Sequence, residues 1–579
     1  MLRCKNLTLR ASGNGPEILS GANAVFRPRA LNAVIGPSGC GKTTLVKSML
    51  RLLPATGESY LDGRLLTSPD DLAGRVGFAQ QFTNAHPQLT VEETFQVALD
   101  LTVADTEEKQ RRMASVLETT GLGAHREKRV SALSGGQLRR LGLGMELTLD
   151  PACMVCDEVT SGLDPHSEAQ ILDLLRKLVE EREKAFICII HNLAKLDAFD
   201  WITVVHQGVV IFQGELPVLL EYFGIPDALR LYEVMHAQPL GYWKECWQQF
   251  LENNPGYYFW QPAGTDTPAP ATGALSPIAE APPQGAHRPT TAQVRPNVVS
   301  QFITLFKRRM LLFSRDTGYL GLTMAITFGF PVIVVIFALT GLPDVPAQAL
   351  ERIGTSMDEI MSAMNIQKER FRIGSLASVL IMFQVILLTL MGANNGGREI
   401  AAERSLYEKE RLTGLNPAAY VLAKLLFVTL IACFQGLWMA VFVKTICQFP
   451  GPWSLQVLTM MAVCASMSIV CLAFSAIMQS AEKASLLSIY LVGFQIPLSG
   501  VVLALPAALV WVCRPFINAY WGWAGYMHSM QNERIYDAYT SANLQMEIAT
   551  PSMANGVLFA QAALGLTIIF VGCFRRRPL

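Results

Sequence analysis

The chain has 579 residues, of which 51% are hydrophobic and only 16% charged. That is too apolar for an ordinary water-soluble enzyme and points to membrane spans. Lys+Arg and Asp+Glu both number 47, so the balance offers nothing to nucleic acid or to an acidic partner.

Residues 1–225 alternate short β-branched runs with helical patterns and turn signals. Ala33-Val34-Ile35, Met154-Val155-Cys156 and Phe186 to Ile190 each run into a loop rich in Gly, Asp or His. Buried strands feeding helices predict an α/β domain on a parallel sheet. Cys153 and Cys156 fall inside such a strand with no second Cys/His pair nearby, so packing is favoured over zinc or redox work. The opening MLRCKNLTLR has no apolar signal segment, which places this domain in the cytosol.

Residues 226–261 read as a small helical appendix. Residues 262–298 are Pro/Ala/Thr-rich without apolar periodicity, which predicts a disordered tether. Residues 299–317 carry Lys307, Arg308, Arg309 and Arg315 and predict an amphipathic helix along the inner membrane face.

From 318 to 579 six apolar segments follow, at roughly 318–341, 374–393, 418–446, 455–478, 484–506 and 553–574. Each is about long enough to cross ~30 Å of hydrocarbon. The fifth contains Pro497 and Gly500, and the apolar stretch after it reads as re-entrant or interfacial. The region 342–373 has apolar residues from Leu350 and Ile353 through Met357, Ile360, Met361 and Met364 at helical spacing. It predicts either an interfacial helix or an extension of span two. An even number of spans, with Arg575, Arg576 and Arg577 at the end, puts both termini in the cytoplasm; Arg352, Lys368, Arg370 and Arg372 in a predicted outer loop argue the other way.

The sharpest local signal is Gly36-Pro37-Ser38-Gly39-Cys40-Gly41-Lys42-Thr43-Thr44, directly after an apolar strand. Glycines let backbone N–H groups converge on phosphate oxygens, Lys42 supplies charge to the β- and γ-phosphates, and Thr43 can ligate Mg²⁺. The strand Cys153 to Cys156 ends in Asp157 and Glu158. Asp157 is placed to hold Mg²⁺ through water, and Glu158 to polarise an attacking water. His191 ends a further strand, where a γ-phosphate would lie.

Leu133-Ser134-Gly135-Gly136-Gln137-Leu138-Arg139-Arg140 resembles the signature motif of ATP-binding cassette proteins, and Asp157 to Asp164 is similar to their Walker B and D-loop. On that resemblance Gln81 is the Q-loop glutamine, a catalytic and Mg²⁺-facing residue with His191 and Glu158. Ser161, Gly162, Leu163 and Asp164 form the D-loop. Ser134, Gly135, Gly136 and Gln137 would contact ATP bound to a second copy. Two cassettes would then clasp ATP between them in a homodimer. Val159 stands where the family usually has proline, and the first strand, LRCKNLTLR, offers no aromatic where the family often stacks adenine.

The order, cassette before membrane domain, resembles the G or White subfamily of half-transporters and implies an all-α, ABC2-type exporter fold. Arg398, Glu399, Glu403, Arg404 and Glu410 then resemble a coupling segment pressing on the cassette near Gln81. Charge runs are also commonly solvated linkers. The stretch after residue 222 lacks the subfamily's usual contact motif. Phe383, Gln384, Phe494 and Gln495 are candidate walls of a cavity for a hydrophobic or lipid-like cargo, although such residues often serve only as packing. The resemblance implies outward transport or flipping of that cargo; the alternative is an ATP-driven membrane regulator that moves no substrate.

Overall fold

A computed structural model describes residues 1–11, 15–254, 296–338, 357–501, 506–540 and 548–575. The expected tether at 262–298 falls almost wholly outside the described residues. Two units result: Met1–Gln301 together with Leu406–Asn416, and Phe302–Ser405 together with Pro417–Arg576.

The first unit contains β1 (Leu2–Arg10), β2 (Glu17–Val25), β3 (Leu31–Ile35), β4 (Thr56–Leu61), β5 (Arg64–Leu65), β6 (Val76–Ala79), β7 (Cys153–Asp157), β8 (Ala185–Ile189), β9 (Trp201–His206) and β10 (Val209–Gly214). Its helices are α1 (Lys42–Met49), α2 (Val91–Thr102), α3 (Thr106–Thr119), α4 (Gly135–Leu147), α5 (Pro165–Arg182), α6 (Leu216–Phe223), α7 (Leu231–Ala237) and α8 (Leu240–Asn253). A six-stranded sheet runs β10-β9-β3-β8-β7-β6, parallel except for β10 against β9. All five residues of β3 and of β7 are buried, as expected of strands covered on both faces. Cys156 pairs with Cys188 across β7 and β8, so the cysteines are packing residues, as the sequence suggests. An antiparallel sheet, β2-β1-β4-β5, accompanies it.

Two apolar layers flank the large sheet. Leu31, Met154, Phe186 and Ile202 face α5 and the appendix, whereas Val34, Val155, Ile187 and Val205 pack with Leu45 and Val46 of α1. Parallel strands bring their carboxyl ends to one edge, where α/β proteins bind ligands.

The rest of the chain forms α9 (Val298–Arg315), α10 (Thr317–Ala338), α11 (Met357–Gly396), α12 (Arg404–Thr413), α13 (Pro417–Cys447), α14 (Trp453–Ile477), α15 (Ala481–Gly493), α16 (Gln495–Leu498), α17 (Ala507–Cys513), α18 (Asn518–His528), α19 (Arg534–Thr540) and α20 (Pro551–Phe574). Among the described residues five helices are long and apolar enough to cross a membrane. The expected fifth span is interrupted instead. α15 stops at Gly493, α16 has four residues, and Gly500 at φ +73° takes the left-handed backbone that ends a helix. Of the expected region 342–373, residues 357–373 continue into α11 as an extension of span two, while 342–356, with Leu350 and Ile353, lie outside the described residues.

α11 reaches α14 closely because it carries Gly392 and Gly396 one turn apart. A Cβ on Gly396 would stand 2.1 Å from the Ser468 carbonyl oxygen, and one on Gly392 2.9 Å from that of Cys464. Small residues at this spacing let helix backbones approach where hydrocarbon offers no hydrophobic drive to association. Leu322, Phe328, Ile336, Leu430, Phe434 and Phe559 remain exposed, an outer face suited to lipid.

Candidate nucleotide site

The phosphate loop is the turn from β3 into α1. Gly36, Gly39 and Gly41 have φ of +152°, +77° and +102°, which ordinary side chains resist. Gly36 is obligatory in space as well, since its Cβ would lie 2.1 Å from the Val205 carbonyl oxygen. Nothing lies within 4 Å of a Cβ on Gly39, so the loop is open there. Lys42 is 5% exposed, and its Nζ donates to the Gly36 carbonyl at 2.9 Å and the Pro37 carbonyl at 3.0 Å. The Cys40 carbonyl accepts the Gly208 N–H at 2.8 Å. Burial pushes the Cys40 thiol up, which opposes formation of the reactive thiolate.

Thr43 Oγ1 donates to Asp157 Oδ1 at 3.0 Å. Burial raises Asp157 above the usual carboxylate range, with the Thr43 hydrogen bond pulling the other way. Glu158 follows at φ +53°, a strained backbone for a non-glycine residue. Both of its oxygens are taken. Gln81 Nε2, just past β6, donates to Oε2 at 2.8 Å, and His191 Nε2, just past β8, meets Oε1 at 2.5 Å. Three strand ends thus bring together the three residues expected to be catalytic. Gln81 lies on Glu158 rather than among the oxygens of Thr43 and Asp157.

Ser134 caps α4. Its hydroxyl accepts the Gln137 N–H, and the Gln137 side chain accepts the Ser134 N–H at 3.1 Å. This reciprocal cap orders the turn and leaves Ser134 and Gly135 exposed. Asp164 caps α5, accepting the N–H groups of His166 and Ser167, and a Cβ on Gly136 would stand 3.0 Å from Ser167 Oγ. Signature and D-loop are therefore neighbours.

Sequence reasoning missed Glu146. At the last turn of α4 it is 3% exposed; its Oε2 accepts the Phe78 N–H of β6 at 3.0 Å, and its Oε1 pairs with Lys409 Nζ of α12 at 2.7 Å. The available signal was an acid inside the apolar run LGLGMELTL, since a buried carboxylate needs a partner. Gln301 is 2% exposed and donates to the Leu101 and Gly414 carbonyls while accepting the Asn416 N–H at 2.9 Å.

The expected coupling residues divide differently. Glu399 pairs with Arg309 and with Lys424, at 2.9 Å, while Glu403 pairs with Lys424 at 2.7 Å. Arg404 donates to the carbonyls of Ala476 and Gly572, and Arg398 to Ser485. All these contacts lie inside the second unit, whereas Glu410 sits on the part of α12 that belongs to the first.

Two of the proposed cavity walls need correction. Gln384 and Gln495 are fully buried. Gln384 donates toward the Met439 carbonyl, and Gln495 accepts the Ala519 N–H at 2.9 Å. Amides in a dry interior are drawn to backbone groups, so both act as packing links. Phe494 is 57% exposed, and Phe383 stacks edge-on with Phe337.

Loop, paired carboxylates and exposed signature turn define a P-loop nucleotide-hydrolysing cassette joined to an apolar helical domain. A family model described as ABC transporter matches residues 19–161, and one described as ABC-2 type transporter matches residues 300–520. The chain belongs to the ATP-binding cassette transporter family, in the order cassette first and membrane domain second. An ABC transporter ATP-binding/permease protein of Mycobacterium tuberculosis is 27% identical over 425 residues, 72% of this chain and 44% of that protein. An energy-coupling factor transporter ATP-binding protein of Thermotoga maritima is 36% identical over 256 residues, 42% of this chain and 92% of that protein. ABC transporter G family member 5 of Arabidopsis thaliana is 32% identical over 218 residues, 36% of this chain and 33% of that protein. The chain thus spans less than half the length of the mycobacterial and plant relatives. Its cassette is an ATP-binding ATPase domain of this family.

Proposed function

We propose that the chain is a half-transporter. Two copies clasp ATP between their cassettes, and hydrolysis drives export or flipping of a hydrophobic or amphipathic, lipid-like cargo. One observation carries the link to a membrane process. Residues Leu406–Asn416 stand in sequence between the apolar helices α11 and α13, yet they fold as part of the ATPase unit. Within that unit Lys409 pairs with Glu146. A shift of α12 then acts through one carboxylate on α4, whose start carries Ser134, and on β6, whose end leads to Gln81.

In hydrolysis Lys42 and the loop N–H groups bind the β- and γ-phosphates. Glu158 orients water and accepts its proton, while His191 faces the γ-phosphate once released from Glu158. The hydroxyl of Thr43 and the carboxylate of Asp157, 3.0 Å apart, are hard oxygen donors that fit Mg²⁺. When bound, Mg²⁺ would neutralise charge on the phosphates. Ser134, Gly135 and Gly136 approach the nucleotide of the other copy, as the exposure of Ser134 and Gly135 permits.

The test is ATP hydrolysis by the full chain in lipid nanodiscs, screened for stimulation by lipids, sterol-like compounds and drugs, with a vesicle transport assay on each hit. Stimulated hydrolysis with matching, ATP-dependent movement of the compound is expected. Brisk hydrolysis that no compound alters, with nothing moved, would overturn the transport reading.

A further inference from the structure

The appendix helix α7 reaches the phosphate loop. The Tyr232 hydroxyl accepts the N–H of Gly36 at 3.2 Å. Gly36 is the loop's first residue and is buried. Its carbonyl is held by Lys42 Nζ at 2.9 Å, and its Cα faces the Val205 carbonyl too closely to admit a Cβ. The glycine is therefore gripped on three sides: by β9, by the loop's own lysine and by a tyrosine 196 residues further along the chain. The first of these grips is steric, and the other two occupy both polar atoms of the residue.

Gly36 stands where β3 ends. A buried N–H left without an acceptor is costly, and a backbone freed at this point changes the direction in which Gly39, Cys40, Gly41 and Lys42 present their donors. We propose that Tyr232 is a positioning residue for nucleotide binding, fixing the first turn of the phosphate loop through the Gly36 N–H without touching the nucleotide. The inference rests on reading Gly36 to Thr44 as the ATP site. It also assigns work to a stretch whose sequence carries no recognised motif. Burial keeps the phenol neutral, pushing it up to about 12, so the acceptor is a hydroxyl at any physiological pH.

The experiment uses the full chain in nanodiscs and compares wild type with Tyr232→Phe, which keeps the ring and deletes the acceptor. The readouts are the Kd of a non-hydrolysable ATP analogue, KM and kcat for ATP, and Tm without nucleotide. Kd and KM are expected to rise about fivefold with kcat unchanged, and the nucleotide-free Tm to fall slightly as the buried Gly36 N–H loses its acceptor. Wild-type Kd and KM in the variant would overturn the proposal. A comparable fall in kcat would overturn it too, marking Tyr232 as a packing residue. Should Tyr232→Phe fail to fold, Tyr232→His, which offers a ring acceptor, is compared with Tyr232→Leu; tighter binding in the His variant is expected, and equal binding would overturn the idea. A wild-type chain that binds no analogue would remove the site reading together with this one.

Discussion

At Glu158 a strained backbone and two side-chain partners converge on one carboxylate. Glu158→Gln removes the proton acceptor while preserving its shape. Hydrolysis should fall at least about a hundredfold, with ATP still bound; phosphate release and retained radiolabelled ATP measure the two effects. The residues of this site were legible because the chemistry is local. A phosphate loop, two acids ending a strand and a capped glycine turn each occupy a few consecutive positions. His191 was legible from its place at a strand end, whereas Gln81 was found only through resemblance, since a single Gln in isolation has no readable role. Glu146, Gln301 and Tyr232 escaped notice because each acquires meaning from a partner far away in the chain.

The helices pose two separate tests. Lys409→Met leaves Glu146 buried without its cation, and breaking such a pair costs about 3–5 kcal/mol. Pairing it with Glu146→Met should restore only part of the lost Tm, since the buried Phe78 N–H stays without its acceptor. Gly396→Ala forces α11 away from the Ser468 carbonyl and should cost about 1–3 kcal/mol, seen as a lower melting midpoint in detergent. The fifth of the six expected spans, carrying Pro497 and Gly500, was expected to cross and is interrupted, whereas the other five were legible from apolar length. Their faces were not, because a helix apolar on every side gives no phase. Gln384 and Gln495 were therefore assigned to a cavity although both point into the packed interior.

For the assembled molecule, a composite site predicts that dead chains can rescue each other. In the proposed homodimer Lys42→Ala disables a chain's own phosphate loop, and Ser134→Arg blocks the site that chain would complete in its partner. Either variant alone should be inactive. Mixed one to one, half the dimers pair a normal loop with a normal signature at one of their two sites, so about a quarter of wild-type hydrolysis should return. No recovery on co-expression, with mixed dimers verified by two affinity tags, would exclude the clasped arrangement. The order of domains was visible in the sequence, but the boundary of the ATPase unit was not, since α12 joins it from beyond α11.

That discontinuity has a practical consequence for anyone preparing the cassette by itself. A recombinant fragment ending near residue 254 would carry Glu146 without its lysine and the Leu101 carbonyl without Gln301. It should be prone to misfolding, and the remedy is to supply the missing cation as a fused or added peptide spanning 404–416, or to neutralise the acid. Soluble-domain kinetics obtained without that step would describe an enzyme lacking one of its own walls.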